Sequence, residues 1–152
     1  MNVLFICKGN WFRSQIAAAV YNGLTQTQDA DSAGTYTGAH DEPEGLKLSD
    51  VFKTTDFFEV MEEHGLHIRN NTTKRLTPDM LGRYDVVVSM AEDPYIPDFL
   101  KNDTKVIWWE VENPEVVDRA VAEEACSQIY GLVEELIKIS AVEASGPAPK
   151  TS

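Results

Sequence analysis

The sequence places a compact apolar run, Val3–Ile6, directly before Cys7 in the stretch "VLFICKGNWFRSQ". A run of this kind is typical of a buried central strand in a parallel sheet. Helix-forming residues begin at Arg13, so one short loop joins the predicted strand to a predicted helix. In parallel α/β folds ligands bind beyond the carboxyl ends of the strands, and Cys7 lies at such an end. This strand–loop–helix unit therefore constrains both the fold and the position of a site.

The rest of the chain alternates between strand-like and helix-like segments. We predict a single α/β domain over residues 1–140 with a mostly parallel sheet, and a disordered tail over 141–152. The polar stretch 36–50 is predicted to be a long loop. The predicted strands after the first are 29–35, 85–90 and 105–111; the predicted helices are 13–24, 54–66, one that begins at Thr77–Pro78, and 116–139.

Charge and cysteine content narrow the function. The formal net charge is −12 with no basic stripe, which argues against nucleic-acid or anionic-membrane partners. The two cysteines, Cys7 and Cys126, form no disulfide framework and suit a reducing compartment. The opening "MNVLFIC" is too short for a signal peptide, and no apolar run approaches membrane-spanning length. We therefore expect a cytoplasmic protein.

The loop after Cys7 has the features of a phosphate cradle. Gly9 lets backbone N–H groups converge on an oxyanion, and a helix N-terminus favours a negative charge. Arg13 adds a planar fork that suits two phosphate oxygens. These positive features favour the thiolate of Cys7, a nucleophile aimed at phosphorus. An ordinary buried thiol is the alternative for an isolated cysteine, but the residues around Cys7 favour the reactive interpretation.

The stretch "VLFICKGNWFRSQIA" resembles the phosphate-binding loop of the low-molecular-weight protein-tyrosine phosphatases. Their pattern is Cys, five residues, Arg, then Ser or Thr, with Gly-Asn inside the loop. The resemblance continues in "SAGT", "HGL", "LTPDMLGRYDVVVSM" and "VENP", to about Lys138. It implies a small doubly wound sheet of four parallel strands flanked by helices, with the loop between the first strand and the first helix.

The resemblance also implies roles for individual residues. Cys7 is the nucleophile that forms a phosphocysteine intermediate, and Arg13 binds phosphate and stabilises the transition state. Ser14 stabilises the thiolate, and Asn10 orders the loop with help from Ser32. The expected phosphate-binding residues are Lys8, Gly9, Asn10, Trp11, Phe12, Arg13 and Ser14.

The sequence departs from the family at the general acid, which is an Asp followed by Pro. Here "WWEVENPEV" places Asn113 before Pro114. An amide can neither protonate a departing phenolate nor activate water, and general acid–base catalysis contributes about 10²- to 10⁴-fold in rate. Three interpretations stay open: another carboxylate replaces the acid, the enzyme is slow or uses a leaving group that needs no proton, or Asn113 is an engineered trap. The candidate replacements are Glu112, Glu115 and Asp118, each of which is otherwise a solvated surface charge.

Substrate recognition differs as well, because Glu115 and Val116 follow Pro114 where the family often has aromatics. Trp11 and Phe12 are the candidates to line the entrance, with core packing as their alternative role. Lys8 is either a steering charge at the rim or a solvated lysine. The family's histidine after "HGL" is replaced by Asn70 or Asn71.

Related arsenate reductases share the loop, but they need two further cysteines near the third strand, and "AEDPYIP" contains none. We expect no cofactor and no metal, since His40, His64 and His67 show no ligand spacing. The expected function is a phosphate-monoester hydrolase, most plausibly a cysteine-dependent protein-tyrosine phosphatase. Its partners would be a phosphorylated protein or aryl phosphate, with inorganic phosphate as product or inhibitor. The alternative is a catalytically weak or inactive phosphate- or phosphotyrosine-binding protein.

Overall fold

The computed structural model describes residues 1–38, 42, 44–52 and 55–145. A four-stranded sheet in the order β2-β1-β3-β4 forms its centre, and every pair of neighbouring strands is parallel. This confirms the predicted α/β class and the doubly wound sheet. The strands are β1 (Val3–Cys7), β2 (Ala30–Gly34), β3 (Val86–Ser89) and β4 (Ile107–Trp108).

Helices cover both faces of this sheet. They are α1 (Arg13–Thr25), α2 (Leu48–Val51), α3 (Asp56–Glu63), α4 (Asp98–Lys101) and α5 (Arg119–Ser145), together with a 3-10 helix at Pro78–Gly82. Among the described helices, none combines the length and the apolar character that crossing a bilayer requires.

Side chains of β1 alternate between two cores. Val3, Phe5 and Cys7 join the larger core, which includes residues of α1, α3 and α5, whereas Leu4 and Ile6 join the core on the opposite face. All five residues of β1 are buried, as a central strand between two helical layers requires. Cys7 therefore leaves the sheet on the same side as α1, the helix that carries Arg13.

Three boundaries differ from the predictions. The segment 36–50 is not loop throughout, because α2 begins at Leu48, whose side chain is fully buried and whose amide donates to the carbonyl of Asn71 at 2.9 Å. The strand predicted over 105–111 shortens to Ile107–Trp108, because β3 pairs only through Val88 and Ser89. The last helix continues to Ser145, beyond the predicted boundary at 140. Some residues named in the predictions lie outside the described residues: 146–152 of the predicted tail, Thr54 of the predicted helix 54–66, and His40.

Candidate active site

Residues 8–12 connect β1 to α1 and form a loop that the segment after β2 holds in place. The amides of Thr35 and Tyr36 donate to the carbonyls of Cys7 and Lys8 at 2.9 and 2.8 Å. The hydroxyl of Thr37 donates to the carbonyl of Gly9 at 2.9 Å. Because these bonds fix the carbonyls of the loop, its shape is set before any ligand binds.

Asn10 is the internal brace of this loop. It is fully buried and adopts a φ of 60°, a left-handed conformation that asparagine tolerates better than most residues. Its Oδ1 accepts from the backbone amide of Lys74 at 2.7 Å, and its carbonyl accepts from Gln15 Nε2 at 3.0 Å. Asn71 supports it indirectly, because its Nδ2 donates to Gln15 Oε1 at 3.2 Å.

Ser14 lies between this brace and the candidate nucleophile. Its Oγ accepts from Asn10 Nδ2 at 2.8 Å and lies 3.0 Å from Cys7 Sγ. Since Asn10 occupies an acceptor position of the hydroxyl, the hydroxyl hydrogen is free to point at sulfur. The structure therefore places a hydroxyl group within hydrogen-bond distance of the thiol of Cys7.

Arg13 is buried at the start of α1 and reaches across the ends of the other strands. Its Nη1 donates to the carbonyl of Met90 at 2.5 Å, to Glu92 Oε1 at 2.8 Å and to the carbonyl of Val111 at 3.0 Å. Its Nε is also buried but has no partner in the described part of the chain. Hydrogen bonds within the protein thus hold the guanidinium through Nη1, and Nε is left to donate to a ligand.

A small pocket brings the loop together with the position of the expected general acid. Its lining residues are Cys7, Gly9, Trp11, Phe12, Arg13, Asn113, Pro114 and Val117. Asn113 and Pro114, in the connection between β4 and α5, therefore line the same pocket as the thiol. The first turn of α1 carries no acidic residue, and Phe12 at its N-cap position offers no side-chain acceptor, so the helix N-terminus suits an anion.

The two aromatic residues of the loop both line the pocket and pack against the core. Trp11 is half-buried, with its ring centroid 5.3 Å from that of Phe52. Phe12 is buried, with its ring centroid 5.2 Å from that of Phe57. The two roles weighed for these residues are therefore compatible.

Glu42 contacts two residues of the loop, and these contacts were not predicted from the sequence. One carboxylate oxygen accepts from Trp11 Nε1 at 3.0 Å, and the other lies 3.3 Å from Lys8 Nζ. Lys8 Nζ also lies 4.4 and 5.3 Å from the ring centroids of Tyr95 and Tyr36. Lys8 is thus neither a free steering charge nor a solvated lysine, because a carboxylate and two aromatic rings surround it. No pattern in the acidic loop distinguished Glu42 from its neighbours.

Ser32 lies apart from the loop. It pairs with Phe5 in the sheet and lines a separate cleft beside α1, together with Gln15, Asn71 and Lys74. In the described part of the chain, Asn10 donates a hydrogen bond to Ser14 and accepts hydrogen bonds from Gln15 and Lys74. The help expected from Ser32 is therefore not visible as a direct contact with Asn10.

The carboxylates considered as replacement acids fall into two groups. Glu112 and Glu115 line an open groove that shares Asn113 with the pocket. Asp118 instead accepts from the backbone amide of Val121 at 2.9 Å and caps α5. Glu92 lines the same groove and contacts Arg13, although no sequence pattern distinguishes it from other acidic residues.

Neither a metal cluster nor a second reactive thiol is found in the described residues. His64 pairs with Glu123 at 2.8 Å, on the surface. Cys126 is buried in α5, and burial, with a smaller contribution from Glu123, raises the pKa of its thiol to about 11. At neutral pH Cys126 is therefore a neutral core residue.

The comparisons with known proteins agree with this geometry. A family model described as low molecular weight phosphotyrosine protein phosphatase matches residues 2–144. A low-molecular-weight protein tyrosine phosphatase from T. tengcongensis is 25% identical with a TM-score of 0.70, over 91% of this chain and 98% of that one.

Other solved structures of the same fold carry different activities in their names. The YwlE arginine phosphatase from Geobacillus stearothermophilus is 20% identical with a TM-score of 0.75, over 93% of this chain and 94% of that one. A thioredoxin-dependent arsenate reductase from Corynebacterium glutamicum is 26% identical with a TM-score of 0.64, over 93% of this chain and 62% of that one. Since the family match spans nearly the whole chain, the chain belongs to the low-molecular-weight phosphotyrosine protein phosphatase family.

Proposed function

We propose that this chain is a protein-tyrosine phosphatase that works through a phosphocysteine intermediate on Cys7. Membership of the family supports phosphatase activity. The observation that carries the proposal is the 3.0 Å contact of Cys7 Sγ with Ser14 Oγ, together with a pocket lined by Cys7 and by Arg13, whose Nε has no partner among the described residues. A nucleophile and a cation for the phosphoryl oxygens then face the same small volume.

In the proposed reaction the thiolate of Cys7 attacks phosphorus, and the bond to the leaving phenolate breaks. Backbone N–H groups of the loop and Arg13 bind the phosphoryl oxygens as charge builds on them. Water then attacks the phosphocysteine, releasing inorganic phosphate and restoring the thiolate. Both steps need a proton transfer, and the amide of Asn113 cannot provide one in either direction.

The second candidate is a phosphate- or phosphotyrosine-binding protein with weak turnover. Asn113 favours it, because the amide lies on the pocket wall where the family has its acid. The two candidates share the whole loop and differ only in the rate of turnover. Phosphate binding alone cannot distinguish them.

The discriminating experiment is turnover of p-nitrophenyl phosphate by this chain and by Asn113→Asp. Asn102→Asp adds the same charge at an exposed position after α4, and Cys7→Ser serves as the blank. We expect Asn113→Asp to raise kcat by about 10²-fold or more, with Asn102→Asp unchanged. Equal, fast turnover by all three would assign the acid to another carboxylate, and Glu92→Gln, Glu112→Gln and Glu115→Gln would then identify it. Turnover at the level of the blank in every variant would leave the binding candidate.

The substrate class needs a separate comparison. Phosphotyrosine, phosphoserine and phosphoarginine versions of one peptide, assayed for phosphate release with the Asn113→Asp chain, test the proposed preference. Fastest release from the phosphotyrosine peptide supports it, and fastest release from either of the others refutes it.

Two free, buried thiols and the absence of a disulfide between them fit the proposed cytoplasmic location.

A further inference from the structure

An open groove continues from the catalytic pocket along the connection between β4 and α5. It shares Asn113 with the pocket and has a volume of about 890 Å³, enough for several side chains beside a phosphorylated residue. Four of its lining residues are glutamates: Glu92, Glu110, Glu112 and Glu115.

The positively charged side chains near this groove already form ion pairs with carboxylates. Lys8, which lines the groove, lies 3.3 Å from Glu42, and Arg13 is 2.8 Å from Glu92. By contrast, Glu110, Glu112 and Glu115 are exposed, and none of their carboxylates has an ion-pair partner among the described residues. Three unmatched negative charges therefore face whatever lies in the groove.

Arg13 is buried, its Nε has no partner among the described residues, and under the proposed function it binds the phosphoryl group. Because the pocket and the groove share Asn113, the neighbours of a phosphorylated residue held in the pocket can reach the groove. The groove repels acidic neighbours and attracts basic ones, and the attraction falls as salt screens it. A phosphate dianion without adjacent positive charge meets the same repulsion.

We propose that this groove selects phosphorylated proteins with lysine or arginine beside the phosphorylated residue. The inference rests on the proposed function and names the substrate class of that same site. Glu112 and Glu115 are the determinants most directly placed, since they flank the Asn113-Pro114 pair on the pocket wall.

The test is fluorescence anisotropy with labelled phosphotyrosine peptides whose flanking residues are lysine, alanine or glutamate. The unphosphorylated lysine peptide measures attraction to charge alone. The protein is the Cys7→Ser chain, which binds without turnover, alone and with Glu112→Gln/Glu115→Gln. The matched control is Glu134→Gln/Glu135→Gln, which removes two exposed charges from α5 outside the groove.

We expect the lysine peptide to bind about fivefold or more tightly than the alanine peptide at low salt, and the glutamate peptide to bind most weakly. The groove variant should lose most of that preference, the control should keep it, and 0.5 M salt should reduce it. Equal binding of the three phosphopeptides, or a preference that survives in the groove variant, would overturn the proposal. Binding of the unphosphorylated peptide as tight as that of its phosphorylated form would overturn it too.

Turnover of p-nitrophenyl phosphate by the Asn113→Asp chain reports on the proposed function separately. Its failure would refute the enzyme while leaving the binding preference measurable. A normal rate with no peptide preference would refute only the groove.

Discussion

Asn10 Nδ2 donates to Ser14 Oγ at 2.8 Å, and this bond leaves the serine hydroxyl free to donate to Cys7 Sγ, which lies 3.0 Å from Ser14 Oγ. The three side chains form a relay from the brace of the loop to the nucleophile. Asn10 is itself held by the backbone amide of Lys74, so the relay extends to a segment 64 residues away in sequence. Ser14 and Asn10 thus connect the thiol of Cys7 to the backbone of that distant segment.

Ser14→Ala should slow turnover by about 10- to 100-fold, because a hydrogen bond to a charged group contributes about 1.5–3 kcal/mol. The substitution removes the hydroxyl that lies 3.0 Å from Cys7 Sγ, so kcat should fall while KM changes little. The measurement is kcat and kcat/KM for p-nitrophenyl phosphate, in the Asn113→Asp background if the parent chain is slow. Ser14→Thr, which keeps the hydroxyl, is the control, and an unchanged kcat in Ser14→Ala would contradict the relay.

Glu42→Gln should strengthen inhibition by inorganic phosphate about two- to fivefold. The amide oxygen can still accept from Trp11 Nε1, but the substitution removes the negative charge beside Lys8. The positive charge at the rim is then no longer neutralised by Glu42, and a phosphate dianion gains from it. The inhibition constant for phosphate at low and high salt measures the effect. Weaker inhibition would show that Glu42 matters for loop geometry rather than for charge, and Glu42→Ala, which loses both contacts, separates the two.

Gly34→Ala should reduce stability by about 1–3 kcal/mol. A Cβ at this position would lie 2.0 Å from Thr37 Oγ1 and 2.8 Å from the carbonyl oxygen of Lys8, and the latter is backbone of the phosphate loop. Gly23→Ala in α1 is the matched control, because a Cβ there would meet no described atom within 4 Å apart from its chain neighbours and the backbone of its own helix, and alanine favours a helix. Denaturant unfolding of the two variants should move in opposite directions. A tolerated alanine at residue 34 would mean that β2 does not constrain the loop.

Iodoacetate at pH 7 should alkylate Cys7 and leave Cys126 unmodified. Cys7 lines the candidate active-site pocket, whereas burial raises the pKa of Cys126 to about 11 and keeps its thiol protonated well above neutral pH. Mass spectrometry of tryptic peptides gives the two rates, and inorganic phosphate should protect Cys7 selectively. Modification of Cys126 at a comparable rate would contradict the buried, neutral environment of that thiol.

Much of the site could be predicted because it lies at strand ends. The apolar run before Cys7 and the helix after Arg13 placed the loop, and parallel pairing brings the segments after β3 and β4 to the same edge. The resemblance to the family, rather than this geometry, predicts Asn113 at the site, because the general acid of the family is an Asp that precedes Pro. The strand order β2-β1-β3-β4 could not be predicted, because apolar runs do not specify which strands are neighbours.

The contacts of Glu42 and Glu92 could not be predicted in this way. Glu42 reaches Trp11 across 31 residues and Glu92 reaches Arg13 across 79, and each came from a polar stretch without periodicity. A single glutamate in such a stretch looks like a solvated charge until the neighbouring backbone is in place. The helix α2 could not be predicted for the same reason, since it is a single turn anchored by the buried Leu48.

The hydrogen bonds of Arg13 have a consequence for how activity arises during folding. Its Nη1 joins carbonyls 77 and 98 residues further along the chain, so the guanidinium is positioned only after β3 and the segment beyond β4 have docked. Contacts of such long range form slowly because the intervening chain must first be closed into a loop. During refolding, α1 can form early, but under the proposed mechanism, in which Arg13 binds the phosphoryl group, turnover must wait until the far edge of the sheet has docked. The time at which turnover begins during refolding would therefore report when the last stage of assembly is complete.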